Sequence, residues 1–163
     1  MLSADSSFLV SCYILDANTG TARAYLSGTK ESIAWTPLHA LEVRNALGLG
    51  VFCGLITPAD LRAAWQNLQS DLKNNRLVRS QLVWPTAFRA ATTLSRHYSA
   101  RIGTRSLDIL HIAAAKSLQL TKFVSFDQRQ RRMAALVGLQ AQPRITNRFP
   151  GTSADKWEKG ARS

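Results

Sequence analysis

Short apolar runs alternate along this chain with longer stretches of helical spacing, and each junction between them carries a recognisable start or stop signal. Leu2-Ser3-Ala4 predicts a short first strand. Asp5-Ser6-Ser7 then caps a segment, Phe8 to Leu15, whose apolar run fits either helix or strand. Asp16-Ala17-Asn18 marks a break, with Asp16 as a cap, and Thr19 to Leu26 reads as a helix ending near Gly28. Ile33-Ala34-Trp35 predicts a second strand. Thr36-Pro37 is a strong helix start, a capping residue followed by proline at the first helical position. In that helix Leu38, Glu42, Asn45 and Leu49 fall on one face, and Gly48, Gly50 and Gly54 loosen its end.

Thr57-Pro58 opens another helix through about Asn74, with Leu61, Trp65, Leu68 and Leu72 as an apolar stripe suited to the core or to a partner. Leu77 to Trp84 includes a third strand, and Pro85 opens a helix to about Ala100. From Gly103 to Arg132 the pattern predicts a helix capped by Ser106, a buried strand from Lys122 to Phe126, and a helix from Gln128 to Leu139. Pro143 to Thr146 adds an expected edge strand. Strand and helix recurring in this order predict an α/β fold: a mainly parallel central sheet of four or five short strands, covered by helices on both faces.

Composition bounds this picture. The chain has 163 residues, 45% hydrophobic and 19% charged, which suits one domain, here residues 1–150, followed by a flexible basic tail at 151–163. No apolar run approaches a membrane span, and no basic stretch followed by an apolar run opens the chain, so a cytoplasmic protein is expected. Cys12 and Cys53 lie in apolar surroundings with neither zinc-ligand spacing nor a disulfide framework, and they read as buried free thiols.

The net charge of +11, from 21 Lys and Arg against 10 Asp and Glu, makes a polyanion a natural partner. Its distribution sharpens the point. Residues 81–132 hold nine basic residues against only Asp108 and Asp127, so these two acids are islands in a basic region.

Four carboxylates stand at comparable places: Asp5 after the first strand, Glu42 in the helix after the second, Asp108 in the first turn of an apolar helix, and Asp127 after a later strand. Capping alone explains an acid at a helix N-terminus. All four, however, would open on one edge of a parallel sheet, where sites gather. Two unit charges about 4 Å apart repel by roughly 4 kcal/mol at an effective dielectric near 20. A divalent cation relieves that repulsion. Oxygen ligands favour Mg²⁺ or Mn²⁺ over zinc, and phosphate oxygens can complete the shell, so metal-assisted phosphodiester hydrolysis is the chemistry these parts suggest.

Asp5-Ser-Ser-Phe-Leu-Val, Thr36-Pro-Leu-His-Ala-Leu-Glu42-Val-Arg-Asn-Ala-Leu47, Gly103-Thr-Arg-Ser-Leu-Asp108-Ile-Leu-His-Ile-Ala-Ala-Ala115 and Phe123-Val-Ser-Phe-Asp127 together resemble PIN-domain proteins of the VapC-like toxin type, over about residues 1–140. The resemblance implies a Mg²⁺- or Mn²⁺-dependent endoribonuclease, the toxin of a bacterial toxin and antitoxin pair, commonly dimeric and inhibited by a small partner protein. It implies that Asp5, Glu42, Asp108 and Asp127 are the acidic active-site residues and metal ligands, Asp5 and Asp108 foremost, with Ser6 and Ser125 in supporting roles. Arg105, three residues before Asp108, is a candidate to contact phosphate or to pair with an acid.

Other residues carry weaker signals. His39, His97 and His111 have no nucleophile at motif spacing and are expected to be surface or satisfied core residues. Arg129, Arg131 and Arg132 fit either an RNA backbone or a solvated helix face, and Trp35, Trp65 and Trp84 fit the core. Two other functions compete: a catalytically inactive RNA-binding module of the same fold, and an aspartyl-phosphate phosphatase using Asp5. The phosphatase lacks its second Asp, because Ser7 occupies that place.

Overall fold

The computed structural model describes residues 1–143. Among these residues five short strands, β1 (Ser3–Ala4), β2 (Ile33–Trp35), β3 (Leu77–Arg79), β4 (Lys122–Val124) and β5 (Gln140–Gln142), all pair in parallel. They form a three-stranded ladder, β1-β4-β5, and a two-stranded one, β2-β3. A parallel bridge between Leu2 and Ile33 joins the two, with Leu2 N donating to Ser32 O at 3.0 Å and Ala34 N to Leu2 O at 2.9 Å. The resulting order is β3-β2-β1-β4-β5. The α/β expectation holds.

Among the described residues seven helices cover this sheet: α1 (Ser6–Tyr13), α2 (Thr19–Gly28), α3 (Pro37–Phe52), α4 (Pro58–Lys73), α5 (Trp84–Ile102), α6 (Ser106–Ser117) and α7 (Gln128–Leu136). Neighbouring residues of a strand point to opposite faces, and β4 shows the result. Val124 joins a core built on α1, α3 and α4, whereas Phe123 joins one built on α5, α6 and α7. The predicted stripe on α4 belongs to the first core: Leu68 and Leu72 are buried, with Leu61 and Trp65 packed beside them. Trp35 is buried and Trp84 packs against the second core, as their apolar setting predicts.

Helix starts follow the local chemistry. Thr57 and Asp60 form a reciprocal capping box at α4, with Asp60 N donating to Thr57 Oγ1 at 3.1 Å and Thr57 N to Asp60 Oδ2 at 2.8 Å. At α3 the equivalent partner is a ring: Thr36 N donates to His39 Nδ1 at 3.0 Å. Gly103, at φ 73°, ends α5 in the left-handed conformation that lets the chain turn directly into α6. No helix among the described residues is long and apolar enough to cross a membrane.

Of the two readings open for Phe8 to Leu15, helix is the one found, over Ser6–Tyr13. Several expectations change. The buried face of α3 is Leu38, His39, Val43 and Leu47, while Leu49 is 52% exposed, because His39 satisfies both ring nitrogens internally and so enters the core. Ser106 is the first residue of α6, and Arg105 holds the cap position. Asp16 caps nothing directly. It accepts from Asn18 N and from the Ser11 and Thr19 hydroxyls, bracing the turn before α2. Cys12 is buried, but Cys53 is exposed at the end of α3. The last strand among the described residues is Gln140–Gln142, and Pro143 lies outside it. Proline has no N–H to give a ladder, and residues 144–146, like the tail at 151–163, lie outside the described residues.

Candidate active site

Parallel pairing brings the C-terminal ends of β1 and β4 side by side, and Asp5 and Asp127 leave the sheet there. Asp5 N still donates to Val124 O, at 2.9 Å, before the chain turns into α1. Its side chain is 1% exposed. Oδ1 accepts from Phe8 N at 2.7 Å, capping α1, and Oδ2 accepts from the Ser125 hydroxyl at 2.6 Å. Burial raises the Asp5 pKa, outweighing the hydrogen bonds and the charge of His111 that act to lower it. No Lys or Arg forms an ion pair with Asp5 among the described residues.

Ser125 extends the arrangement to Asp127. Its oxygen accepts from Asp127 N at 3.0 Å, and Asp127 Oδ1 in turn accepts from Arg129 N and Gln130 N at 2.8 and 2.9 Å, capping α7. Asp5 and Asp127 therefore each cap a helix, and the Ser125 hydroxyl links the side chain of one to the backbone of the other.

Glu42 approaches from the second turn of α3. Its Oε2 accepts from the Ser6 hydroxyl at 2.7 Å and from His111 Nε2, while Oε1 accepts no hydrogen bond among the described residues. Burial acts to raise the Glu42 pKa, but the hydrogen bond and charge of His111, with the Ser6 hydroxyl, leave it lowered. Ser6 directly follows Asp5, so this single hydroxyl links the end of β1 to the helix after β2.

Asp108 sits in the first turn of α6 with its side chain 14% exposed. Arg105 Nε donates to Oδ2 at 3.0 Å and Gln130 Nε2 to Oδ1 at 3.1 Å, so α7 touches α6 through this carboxylate. The Arg105 pKa is raised first by its bond to Asp108, and the charges of Asp127 and Glu42 add to the shift. Of the two roles open to Arg105, pairing with an acid is the one seen here.

Three residues here carry more than the sequence suggested. His111 is 2% exposed, with Nε2 against Glu42 and 3.2 Å from Ser6 Oγ and Nδ1 buried without a partner. It is neither a surface residue nor a satisfied core one. The signal was present: His111 follows Asp108 by three positions, which puts both on one face of α6. His39 packs against it with ring centroids 4.7 Å apart, and burial drives the His39 pKa down to about 3. Its Nδ1 accepts from Thr36 N, so Nε2 carries the proton donated to Ala4 O at 2.9 Å, steadying the end of β1 next to Asp5. Gln130 announced itself by nothing in the sequence. His97 is a surface residue, and Arg131 spans the carbonyls of Ser125, Gln142 and Pro143, which gives it a structural task.

A cavity of about 540 Å³ opens beside Ser6 and Glu42, walled also by Asp16, Asn45, Leu49 and Leu107. Asp5, Asp108 and Asp127 do not line it. Among the described residues, no three His, Cys, Asp or Glu side chains stand together as a ready metal cage. The donor chemistry nevertheless fits a hard divalent cation: oxygen atoms only, one carboxylate buried without a counter-ion, and a second with a free oxygen. Mg²⁺ is commonly held by one or two carboxylates plus water and substrate phosphate rather than by a closed protein cage.

The strand order and the acid-lined C-terminal edge define a parallel α/β domain of one particular kind. The PIN domain family model matches residues 4–136, and the chain belongs to that family. No curated protein sequence matches it. Among solved structures it resembles Mycobacterium tuberculosis VapC20, a sarcin-ricin loop cleaving toxin, with a TM-score of 0.64 at 16% identity over 88% of this chain and 100% of that one. It also resembles FitAcB from Neisseria gonorrhoeae, with a TM-score of 0.58 at 13% identity over 88% and 97% of the two chains. At such identities the likeness concerns the fold.

Proposed function

We propose that this protein is a Mg²⁺- or Mn²⁺-dependent endoribonuclease that hydrolyses RNA phosphodiester bonds, acting in the cytoplasm as the toxin of a toxin and antitoxin pair, as a homodimer restrained by a small cognate protein. Membership of the PIN family and the fold shared with VapC20 support the reading. The observation that carries it is the hydroxyl-linked acid edge: Asp5 to Ser125 to the backbone of Asp127, and Ser6 to Glu42. Asp5, Glu42, Asp108 and Asp127 would hold the cation, which supplies activation of water and charge stabilisation at the leaving oxygen.

The chain's own residues do the positioning. Ser125 and Phe8 N orient the Asp5 carboxylate, Gln130 orients Asp108, and Ser6 orients Glu42 with its Oε1 left free. Arg105, its side chain 78% exposed at the rim, is placed to meet a phosphate when RNA displaces it from Asp108. The surplus of positive charge draws the polyanion toward this edge.

The test is cleavage of RNA with Mg²⁺ or Mn²⁺, expected to vanish in EDTA and in Asp5→Asn and Asp108→Asn. Induction in a bacterial host should arrest growth with wild type and not with Asp5→Asn. One observation favours a second reading, an inactive RNA-binding module: all four carboxylates already accept hydrogen bonds within the chain. RNA affinity unchanged by these substitutions, with no cleavage under either metal, would select it.

A further inference from the structure

We infer that His111 is a positioning residue that holds Glu42 through Oε2 and so keeps Oε1 free to ligate a divalent cation, an inference that rests on the metal-dependent reading above. The two side chains come from α6 and α3, 69 positions apart, and meet with Ser6 in a closed triangle: Ser6 Oγ to Glu42 Oε2 at 2.7 Å, Ser6 Oγ to His111 Nε2 at 3.2 Å, and His111 Nε2 on Glu42 Oε2. A carboxylate with two donors on it can only accept, so Nε2 presents an N–H to Glu42. The same geometry directs both donors to one carboxylate oxygen and leaves the other unengaged among the described residues.

Three further observations separate this from ordinary packing. The ring is 2% exposed, so its orientation is set by its surroundings rather than by solvent. His39 lies against it at 4.7 Å, itself locked by Thr36 N and Ala4 O, which fixes the plane in which His111 can turn. Nδ1 is buried and unpartnered, so the only hydrogen-bonding work the ring does is on the Glu42 and Ser6 side. A buried ring that leaves one nitrogen idle and commits the other to a carboxylate is arranged around that carboxylate. Groups that orient a metal ligand in this way typically change metal affinity 10–100-fold when lost.

The experiment measures Mn²⁺ binding to the full chain, by isothermal titration and by loss of the free Mn²⁺ resonance signal, in wild type, His111→Leu, His111→Gln, Glu42→Gln and the Glu42→Gln/His111→Leu double variant. Leucine keeps bulk and removes the donor. Glutamine reaches with an amide N–H to where Nε2 lies. Thermal denaturation in EDTA reports folding independently. Expected are a dissociation constant about 10–100-fold weaker for His111→Leu, recovery to near wild type for His111→Gln, and no added loss from His111→Leu once Glu42 is Gln.

Should His111→Leu not fold, His111→Asn carries the same contrast against His111→Gln, because its shorter amide falls short of Glu42. Unchanged Mn²⁺ affinity in folded His111→Leu, or in folded His111→Asn, overturns the inference, even if the melting temperature falls. Equal weakening in His111→Gln, or a full further loss in the double variant, overturns it too. Wild type that binds no Mn²⁺ removes the nuclease reading, and this inference with it.

Discussion

Ser125 and Asp5, 120 positions apart in sequence, share a 2.6 Å hydrogen bond between the ends of two adjacent strands, and both are essentially inaccessible to solvent. The same serine oxygen accepts from Asp127 N, so one hydroxyl group serves two of the four acids.

Ser125→Ala removes both bonds at once and leaves a buried carboxylate oxygen and a backbone N–H wanting partners. We expect a loss of about 1.5–3 kcal/mol in urea denaturation, the range for a hydrogen bond to a charged group. A loss under about 0.5 kcal/mol would place the Ser125 hydroxyl outside the forces that hold this edge together.

Asp5 and Glu42 should respond to pH with opposite sign. Burial raises the Asp5 pKa, so its contribution to stability is complete below the ordinary value of 3.8, where folded and unfolded chains are both protonated. It declines as pH rises from there toward the raised folded value, because the unfolded chain ionises first. Glu42 is lowered, so its contribution is present above 4.5 and disappears as pH falls through the folded value. In thermal denaturation with EDTA, Asp5→Asn should gain on wild type as pH increases past about 3.8, and the wild-type advantage over Glu42→Gln should shrink as pH drops below 4.5. Parallel curves for wild type and Asp5→Asn would contradict the assignment.

Arg105→Ala should separate stability from RNA binding. The Arg105 side chain is 78% exposed, and exposed pairs are worth about 0–1 kcal/mol, so little change in melting is expected. If the guanidinium meets one phosphate of a single strand, the slope of log affinity against log salt should fall in magnitude by about 0.7. An unaltered slope would confine Arg105 to its bond with Asp108.

The two thiols should differ sharply in reactivity. Cys53 is exposed, whereas Cys12 is buried and donates toward Phe8 O at 3.3 Å, and burial pushes its pKa up to about 12. A thiol reagent at neutral pH should label one cysteine in the folded chain and two in urea. Rapid labelling of Cys12 under native conditions would mean that α1 opens locally.

Much of this architecture is legible from local chemistry. Thr36-Pro37 and Thr57-Pro58 mark helix starts because capping and the fixed proline angle act within three or four residues. The four acids stand out because each falls at a junction, and junction placement is again local. Long-range satisfaction is what escaped. His39 and His111 are polar by composition yet buried, since Ala4 O and Glu42 reach them from 35 and 69 positions away. The buried face of α3 follows from the same long-range bond, which draws His39 inward. Gln140-Ala-Gln142 has no β-branched residue to signal a strand, and it pairs only because β4 offers it an open edge.

The Leu2–Ile33 bridge, finally, makes one narrow seam answerable for a chemical spacing. Asp5 and Asp127 ride on the ladder to one side of it and Glu42 on the helix that follows the other, with Ser6 on Glu42 and His39 on Ala4 O as further stitches across the join. The tolerance to which the acids are set is therefore the tolerance of that seam. A bulkier or polar side chain at Leu2, far from any carboxylate in chemical character, would disturb the gauge between them while leaving each ladder internally whole.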